Sequence, residues 1–381
     1  MSRKLNIKII GAGPTGSLLA IALADSECNI SIFDHKNINE LKSRNRAYAL
    51  THSSRKLLEY LNLWTLLKEK TNKFSKLTVQ DSTVNRFINF NLSNLSIKNR
   101  SSGGIGWIIN HIDLMDVIYK RLLEYKNINF QITQETNYDL ENYDYVIAAD
   151  GTQSKSRINW NIGSFKFKYN QCCFTSKVLV RNGENDRAFE VLREEGPFAI
   201  LPMKDDIYQV VWSASLEKCK TLKNNNKSYV LDRISSIMPM SYQPDVMIED
   251  SNYYSNYFSI ARSFYRNRFI LVGEAAHSFH PVGGQGLNLC WRDIYQLTRL
   301  IKFSQKYRNK FDNFIPFIYF LLRIPDVIFV ALSTDSLVRV FSNNNNFLIL
   351  IRKISFLLLK RSKLLKTNIL SLMTNGINIV N

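Results

Sequence analysis

Three glycine-bearing segments hold the residues whose types and spacing could do chemistry. The first is Gly11-Ala12-Gly13-Pro14-Thr15-Gly16. Its G-x-G-x-x-G spacing lets Gly11 make a tight turn, Gly13 bring backbone close to a pyrophosphate and Gly16 pack a helix against a strand. Pro14 suits the first helical turn, where its missing N–H costs nothing. The start of that helix offers unpaired N–H groups and a partial positive charge to phosphate. Asp34 lies 18 residues beyond Gly16 and can accept from a ribose hydroxyl. No Gly-Lys-Ser/Thr follows, so the segment is not a P-loop. The second segment, Asp150-Gly151-Thr152-Gln153-Ser154-Lys155-Ser156-Arg157, follows the apolar run YVIAA; alone, Asp-Gly after a strand is a turn signal. The third runs from Gly273-Glu274-Ala275-Ala276-His277 to Pro281, Gly283, Gly284, Gln285, Gly286, Leu287 and Asn288. Glycines at that density bring backbone very close to a ligand. A helix starting at Gly286–Asn288 favours negative charge at its end, and the N1–C2=O locus of a reduced flavin is one such charge.

The surrounding sequence predicts the elements that position these segments. Asn6–Ile10 reads as a buried strand, Pro14–Ala24 as a helix, and Asn29–Phe33 as the next strand, ending at Asp34. Together they make a β-α-β unit. Helices are predicted at Arg55–Leu67 and Leu114–Tyr125, strands across Leu77–Leu92, and a buried strand at Tyr145–Ala149. From Phe165 to Ala214 the residues alternate as antiparallel strands do. The polar stretch 218–228 reads as an exposed loop. Phe269–Val272 reads as a buried strand, and a helix from Gly286 puts Cys290, Ile294, Leu297 and Ile301 on one face.

Composition narrows the classes. The chain has 381 residues, 45% of them hydrophobic, which is ample for a core. Five cysteines, an odd number with no C-x-x-C, argue against a disulfide scaffold or a zinc ribbon and fit a reducing cytoplasm. The N-terminus lacks the sustained apolar stretch of a signal peptide. Pro316, Arg323, Pro325 and Asp326 interrupt one long apolar segment, and Arg352 and Lys353 the other, so no spanning helix is expected. The net charge of +18 is uneven: residues 336–381 hold seven basic side chains and no acidic one, contributing +7. In FLILIRKISFLLLKRSKLLK (347–366) the basic residues alternate with aliphatics. That pattern suits a helix docked on the protein or a membrane-surface helix better than a nucleic-acid arm, which uses stacking aromatics. No His/carboxylate spacing suits a metal. His277 and His280 read as structural, His35 and His52 as surface residues, and Cys172-Cys173 as packing. Tyr253, Tyr254, Tyr257 and Phe258 suit sheet packing better than a substrate cavity.

G-x-G-x-x-G, then D-G-x-x-S-x-x-R, then G-D-A-A-H-x-x-x-P-x-x-G-Q-G-x-N, met here with Glu274 in place of the Asp, in this order and spacing resemble the FAD-dependent aromatic hydroxylases of the para-hydroxybenzoate hydroxylase type. NRAYALTHSSRKLLEYLNLW (45–64), RAFEVLREEGPFAILPM (187–203), LVGEAAHSFHPVGGQGLNLCWRDI (271–294) and TDSLVRVFSNNN (334–345) narrow the resemblance to the ubiquinone-biosynthesis hydroxylases. It covers essentially the whole chain. It implies an α/β fold: a Rossmann-like, glutathione reductase-type FAD domain (1–75, 100–160 and 262–305), an inserted antiparallel-sheet substrate domain (76–99 and 161–261), and a helical C-terminal region (306–381).

The resemblance also implies roles. Gly11, Gly13, Pro14, Thr15 and Gly16 meet the FAD pyrophosphate, and Asp34 the adenosine ribose. Arg46 lies near FAD, and Asp150 and Gly151 contact FAD and NAD(P)H. Gly273 and Glu274 hold the ribityl chain; Pro281, Gly283, Gly284, Gln285, Gly286, Leu287 and Asn288 line the isoalloxazine. Two positions depart from the pattern. Glu274 stands where the family has Asp, and Ile109-Asn110-His111 where it has Glu-Asn-Arg. His cannot reproduce a bidentate arginine contact, so His111 is not expected to bind cofactor. The implied reaction is hydroxylation of a polyprenylated phenol with NAD(P)H and O2 through a flavin C4a-hydroperoxide, with no side chain required as nucleophile. A hydroxylase of small soluble phenols, an FAD-dependent prenyl reductase and a non-catalytic flavoprotein subunit of a quinone-synthesis complex are the alternatives. The expected setting is the cytoplasm, peripherally at the inner face of an anionic membrane, with no nucleic acid and with other quinone-biosynthesis enzymes as possible companions.

Overall fold

The computed structural model describes residues 4–133, 142–307 and 311–377. The chain opens with β1 (Leu5–Ile10), α1 (Pro14–Ala24), β2 (Cys28–Asp34) and α2 (Ile38–Lys42). Then come β3 (Ala47–Leu50), α3 (His52–Tyr60), α4 (Trp64–Leu67), β4 (Thr71–Phe74), β5 (Lys76–Asp81) and β6 (Arg86–Asn91). α5 (Ile97–Arg100), β7 (Gly106–Asn110), α6 (His111–Leu123), β8 (Ile128–Ile132), β9 (Tyr145–Ala148) and α7 (Lys155–Asn159) follow. The middle block is β10 (Ser164–Arg181), β11 (Arg187–Leu192), β12 (Phe198–Pro202), β13 (Ile207–Ala214), α8 (Leu216–Asn224), α9 (Lys227–Ser235), β14 (Gln243–Met247) and β15 (Asn252–Ala261). β16 (Tyr265–Arg266), β17 (Phe269–Leu271), β18 (His277–Ser278) and α10 (Gln285–Lys306) lead to α11 (Ile315–Phe341), α12 (Asn346–Arg361) and α13 (Lys363–Asn375).

One sheet has the order β16-β17-β9-β1-β2-β8 and is parallel except at β16–β17. Its central strands are covered on both faces, so β9 is a continuous apolar run and five of the six residues of β1 are buried. α1 and α10 share its core. A second sheet of nine strands runs β18-β15-β10-β13-β12-β11-β5-β6, with β14 beside β10. Its pairs are antiparallel except β11–β5, which is parallel and joins the early hairpin β5–β6 to the middle block. Strand alternation gives this sheet two unlike faces. Phe174, Phe198, Trp212 and Tyr208 make an apolar face, closed by Cys219 and Leu222 of α8 and Val230 and Ile234 of α9. The opposite face looks toward the glycine-rich loops. A third sheet, β3-β7-β4, bridges the two.

The structure departs from the sequence expectations in four places. The helix expected at Arg55–Leu67 breaks: α3 stops at Tyr60, Asn62 takes φ 55°, and α4 starts at Trp64. Asn is among the residues that tolerate that region. The stretch 218–228 belongs to α8 and α9, capped by the side chains of Ser215 and Asn226. Its polar residues are the outer face of helices whose inner positions are buried. His52 is buried, its ring edge-on to Trp107 at 5.1 Å. The segment interrupted by Pro316, Arg323, Pro325 and Asp326 is one continuous helix, α11. Asp312–Phe341 is long and apolar enough to cross a membrane, and 44% of its most apolar window is buried in the protein. The charges that interrupt it fasten it to α10: Arg323 Nε meets Asp293 Oδ1 at 2.6 Å, and Arg292 Nη1 meets Asp326 Oδ1 at 3.2 Å. α12 is anchored similarly. Buried Arg352 donates to the carbonyls of Phe341 and Asn343 and faces Asp81 at 3.6 Å.

Candidate functional site

The three glycine segments meet at the carboxyl ends of β1, β9 and β17. Gly11 has φ 102°, and a Cβ there would lie 2.5 Å from the Ala149 carbonyl oxygen. A Cβ on Gly16 would overlap the Gly11 carbonyl. Gly13 differs: nothing of the protein lies within 4 Å of a Cβ placed there. The first two glycines therefore serve the fold, and the third keeps a space open. The loop between them is pinned at Ala12. Its N–H donates to Asp34 Oδ2 at 2.8 Å, and its carbonyl accepts from the hydroxyls of Tyr119 at 2.6 Å and Ser17 at 2.8 Å. Asp34 Oδ1 accepts from Lys36 N–H at 2.9 Å. No side chain caps α1, so its first N–H groups remain available. Sequence reasoning missed Tyr119 and Ser17. They sit on helices as ordinary amphipathic positions and carry no local signal.

The second and third segments are tied together. Asp150 Oδ2 accepts from the N–H and hydroxyl of Ser156, at 3.0 and 2.8 Å. Its Oδ1 is buried and has no partner among the described residues. Gly151, at φ 84°, opens onto empty space. Arg157 Nη1 donates to the Ala275 carbonyl at 2.7 Å, and the Thr152 hydroxyl to Glu274 Oε2 at 3.3 Å. A Cβ on Gly273 would lie 3.0 Å from Thr15 Cγ2, so the third segment also touches the first. Asp293 organises this strand end: its Oδ2 accepts from Gly273 N–H at 2.9 Å and His277 Nε2 at 2.7 Å. His277 is thus a positioning group, as expected. His280 is likewise internal, bonded to Gln171 and to Val282 N–H.

Beyond Pro281, Gly283 and Gly284 adopt φ of 70° and 63°, a conformation L side chains rarely take. They deliver the chain into α10, which begins at Gln285 without a side-chain cap. Gly286 opens onto empty space, and Leu287 packs partly buried at the edge of the core. Asn288 is fully engaged. Its Oδ1 accepts from Thr51 N–H at 2.9 Å and the Ser54 hydroxyl at 2.6 Å, while its Nδ2 donates to the carbonyls of Ala49 and Gly284. Its side chain staples the loop to β3.

Arg46, just before β3, completes the ring of residues. Its Nε donates to the Tyr48 hydroxyl at 2.8 Å; Tyr48 donates to His111 Nδ1 at 2.9 Å, and His111 Nε2 donates to the Leu41 carbonyl at 2.8 Å. Burial pushes the His111 pKa down to about 4, so the ring is neutral and can accept from Tyr48. Burial alone would lower the Arg46 pKa; Tyr48, Glu274 and Tyr254 around it prevail and raise it. His111 therefore supports the arginine through Tyr48.

The inner face of the second sheet lies opposite. Register places Cys173 between Ser213 and Tyr254, and Glu190 beside Ala199 and Val79. These are mostly small side chains. Tyr254 exposes 43% of its surface although burial raises its hydroxyl pKa well above the usual value. Tyr253, its neighbour, points the other way and packs against the α8–α9 core, and Phe258 stacks on Phe167 at 4.7 Å. The aromatic cluster thus splits between sheet packing and the accessible side chain of Tyr254. An orphaned carboxylate oxygen on Asp150, open space at Gly13, Gly151 and Gly286, and uncapped starts to α1 and α10 fit an extended anionic dinucleotide.

Comparison with known proteins agrees. Residues 127–308 match the family described as FAD binding domain. The ubiquinone biosynthesis monooxygenase COQ6 of Caenorhabditis elegans is 24% identical over 360 residues, covering 77% of this chain and 78% of the relative. The 3-demethoxyubiquinol 3-hydroxylase of Escherichia coli is 23% identical over 388 residues, covering 94% and 96%. Among solved structures, p-nitrophenol 4-monooxygenase PnpA of Pseudomonas putida superposes with a TM-score of 0.76 at 15% identity over the whole of both chains. PqsL of Pseudomonas aeruginosa superposes with a TM-score of 0.75, covering 91% of this chain and 99% of that one.

Proposed function

We propose that this chain, a member of the FAD-dependent ubiquinone hydroxylase family, hydroxylates the aromatic ring of a polyprenylated ubiquinone precursor with NAD(P)H and O2. The observation that carries this reading is the convergence of three glycine segments on one space, facing a sheet of small side chains. Bound FAD supplies the redox chemistry, passing electrons from NAD(P)H to O2 so that one oxygen atom reaches an electron-rich ring. The chain's own task is binding, orientation and exclusion of water. The open side of Gly13 and the start of α1 hold the pyrophosphate, and Asp34 the ribose. The unpartnered Asp150 Oδ1 and the Glu274 carboxylate accept from hydroxyls of the cofactor's linker. Gly283 and Gly284 bring backbone against the flavin ring, with Asn288 fixing that loop. Arg46, braced by Tyr48 and His111, places a positive charge beside it.

The C-terminal helices suit a substrate that resides in a bilayer. Phe347, Leu350, Ile354, Leu358 and Leu364 are exposed on α12 and α13, interleaved with Lys353, Lys360, Arg361 and Lys363. Such a surface inserts its apolar residues among lipid tails while its cations meet anionic headgroups. α13 also reaches the cofactor loop: Met373 Cε lies 3.6 Å from the Cβ position of Gly283. The proposed lipid-facing surface is therefore continuous with the catalytic loop. The exposed stripe Phe317, Leu321, Ile328 and Leu332 on α11 offers a further surface to lipid or to another enzyme of quinone synthesis.

The experiment is direct. The purified protein should be yellow, release FAD on denaturation, and consume O2 faster when a short-chain prenylated phenol is added with NAD(P)H. Colourless protein that takes up no FAD would overturn the reading.

A further inference from the structure

We propose that Glu190 is a catalytic base in the ring-hydroxylation reaction, accepting the proton of the substrate's ring hydroxyl beside the cofactor loop. The assignment rests on the functional reading above and deepens it.

Glu190 lies on β11, an interior strand flanked by β12 and β5. The residues paired with it are Ala199 and Val79, and its same-face neighbours along the strand are Ala188 and Leu192, both in an apolar cluster with Val282 of the cofactor loop. Among the described residues no cation forms an ion pair with it. Among the described residues its hydrogen-bond partner is the N–H of Gly283, which donates to the carboxylate. The Cys173 thiol on β10 interacts with it electrostatically, and the Tyr254 hydroxyl on β15 is hydrogen-bonded to that thiol. Arg46 and Glu274 lie beyond Tyr254. A carboxylate placed mid-sheet without a cation is costly unless it has a use. Burial pushes its carboxyl up to about 7, the Gly283 N–H opposing, so it can change protonation near neutrality.

The step balances as follows. The ring O–H bond breaks and its proton passes to a Glu190 carboxylate oxygen. The electron pair left on the phenolate delocalises to the ortho and para carbons. The attacked carbon forms a C–O bond to the oxygen atom supplied from O2 as the O–O bond breaks. That carbon then loses its hydrogen as a proton and the ring regains aromaticity; Glu190 returns its own proton to the original ring oxygen, and the second oxygen atom of O2 leaves as water, taking up the ring-carbon proton and one from solvent. NAD(P)H supplies the two electrons. General-base help of this kind is worth about 10²–10⁴-fold.

The test compares wild type with E190Q and E190D, all loaded with FAD, using a short-chain prenylated phenol and measuring both NAD(P)H oxidation and hydroxylated product from pH 5.5 to 10. Wild-type hydroxylation should fall as pH falls through about 7. E190Q should keep its FAD and its NAD(P)H-driven flavin reduction but lose about 100-fold in product-forming kcat, with the acidic limb gone. E190D should restore part of the rate and the limb. E190Q that forms product at the wild-type rate with the wild-type pH profile overturns the proposal and leaves the functional reading intact. If E190Q fails to fold, an E190D profile with the acidic limb unmoved and the rate unchanged overturns it equally. FAD-loaded wild type that hydroxylates no prenylated phenol overturns the functional reading, and this assignment with it.

Discussion

At the residue scale, the glycines of the first segment do different work, and substitution should separate them. Gly13 has φ −68° and open space at its side chain position. Gly13→Ala should leave the stability of the cofactor-free protein within about 0.5 kcal/mol, because nothing in the protein opposes the methyl group. FAD affinity should nonetheless drop by at least tenfold, measured by fluorescence titration. Gly16→Ala meets the Gly11 backbone carbonyl, so its loss should appear in thermal unfolding of the cofactor-free protein. The glycine spacing was legible because Gly11 and Gly16 answer backbone constraints and Gly13 the approach of a ligand. The Arg46–Tyr48–His111 chain was not, since His111 is far in sequence from the other two and only β3–β7 pairing brings it to them. His111→Ala should reduce FAD affinity several-fold by freeing Tyr48, and His111→Gln, which can still accept from Tyr48, should restore much of it.

At the scale of elements, the buried charges between α10 and α11 decide how the third glycine segment is held. Arg323 serves Asp293 and Asp326, and Asp293 in turn carries Gly273 and His277. Arg323→Ala leaves two buried carboxylates short of a partner, a loss of about 3–5 kcal/mol by calorimetry. Burial opposes ionisation of Asp293, but His277 and Arg323 outweigh it and hold its pKa at about 2. Its contribution is therefore present above the ordinary carboxylate range and lost as pH falls toward 2. The histidines act earlier. Burial lowers His52, His111 and His280 to about 4. In the unfolded chain they bind protons from about 6.5 downward, so stability should decline as pH drops from about 6.5 toward 4. Urea unfolding across that range, with little change from pH 7 to 8, checks this. Helical spacing of apolar residues made α10 legible, and apolar runs bounded by glycine turns did so for α1 and the central strands. α8 and α9 were missed because their outward residues are nearly all polar and only four inward positions touch the sheet. His52 was misplaced because nothing local announces that Trp107, from a distant strand, packs over it.

At the scale of the whole molecule, the net charge of +18 separates into a diffuse part and a placed part. The acid-free terminus folds into helices, α12 packed on β6 and α13 on α3, so docking on the protein leaves the opposite side free for the proposed membrane contact. Arg352 is spent internally, whereas Lys353, Lys360, Arg361 and Lys363 point outward. Flotation with vesicles containing phosphatidylglycerol should therefore be strong, weaken with salt, and fall several-fold in a K353E/K360E/K363E variant that still holds FAD. Binding indifferent to salt and to these changes would contradict the membrane assignment. The domain-scale architecture was readable from three glycine motifs in order along the chain. The placement of Glu190 beside the cofactor loop was not, because it takes a sheet whose strands come from residues 76–91 and 164–261 and a loop near residue 283.

The central claim is that this protein places one atom of O2 on the ring of a prenylated phenol. Its most direct measurement is mass spectrometry of the product formed by the FAD-loaded protein from a short-chain prenylated phenol, NAD(P)H and ¹⁸O2. The account predicts a product carrying one ¹⁸O on the aromatic ring for each turnover coupled to hydroxylation. NAD(P)H oxidation that yields only labelled hydrogen peroxide, with no ¹⁸O in any prenylated phenol offered, would contradict it.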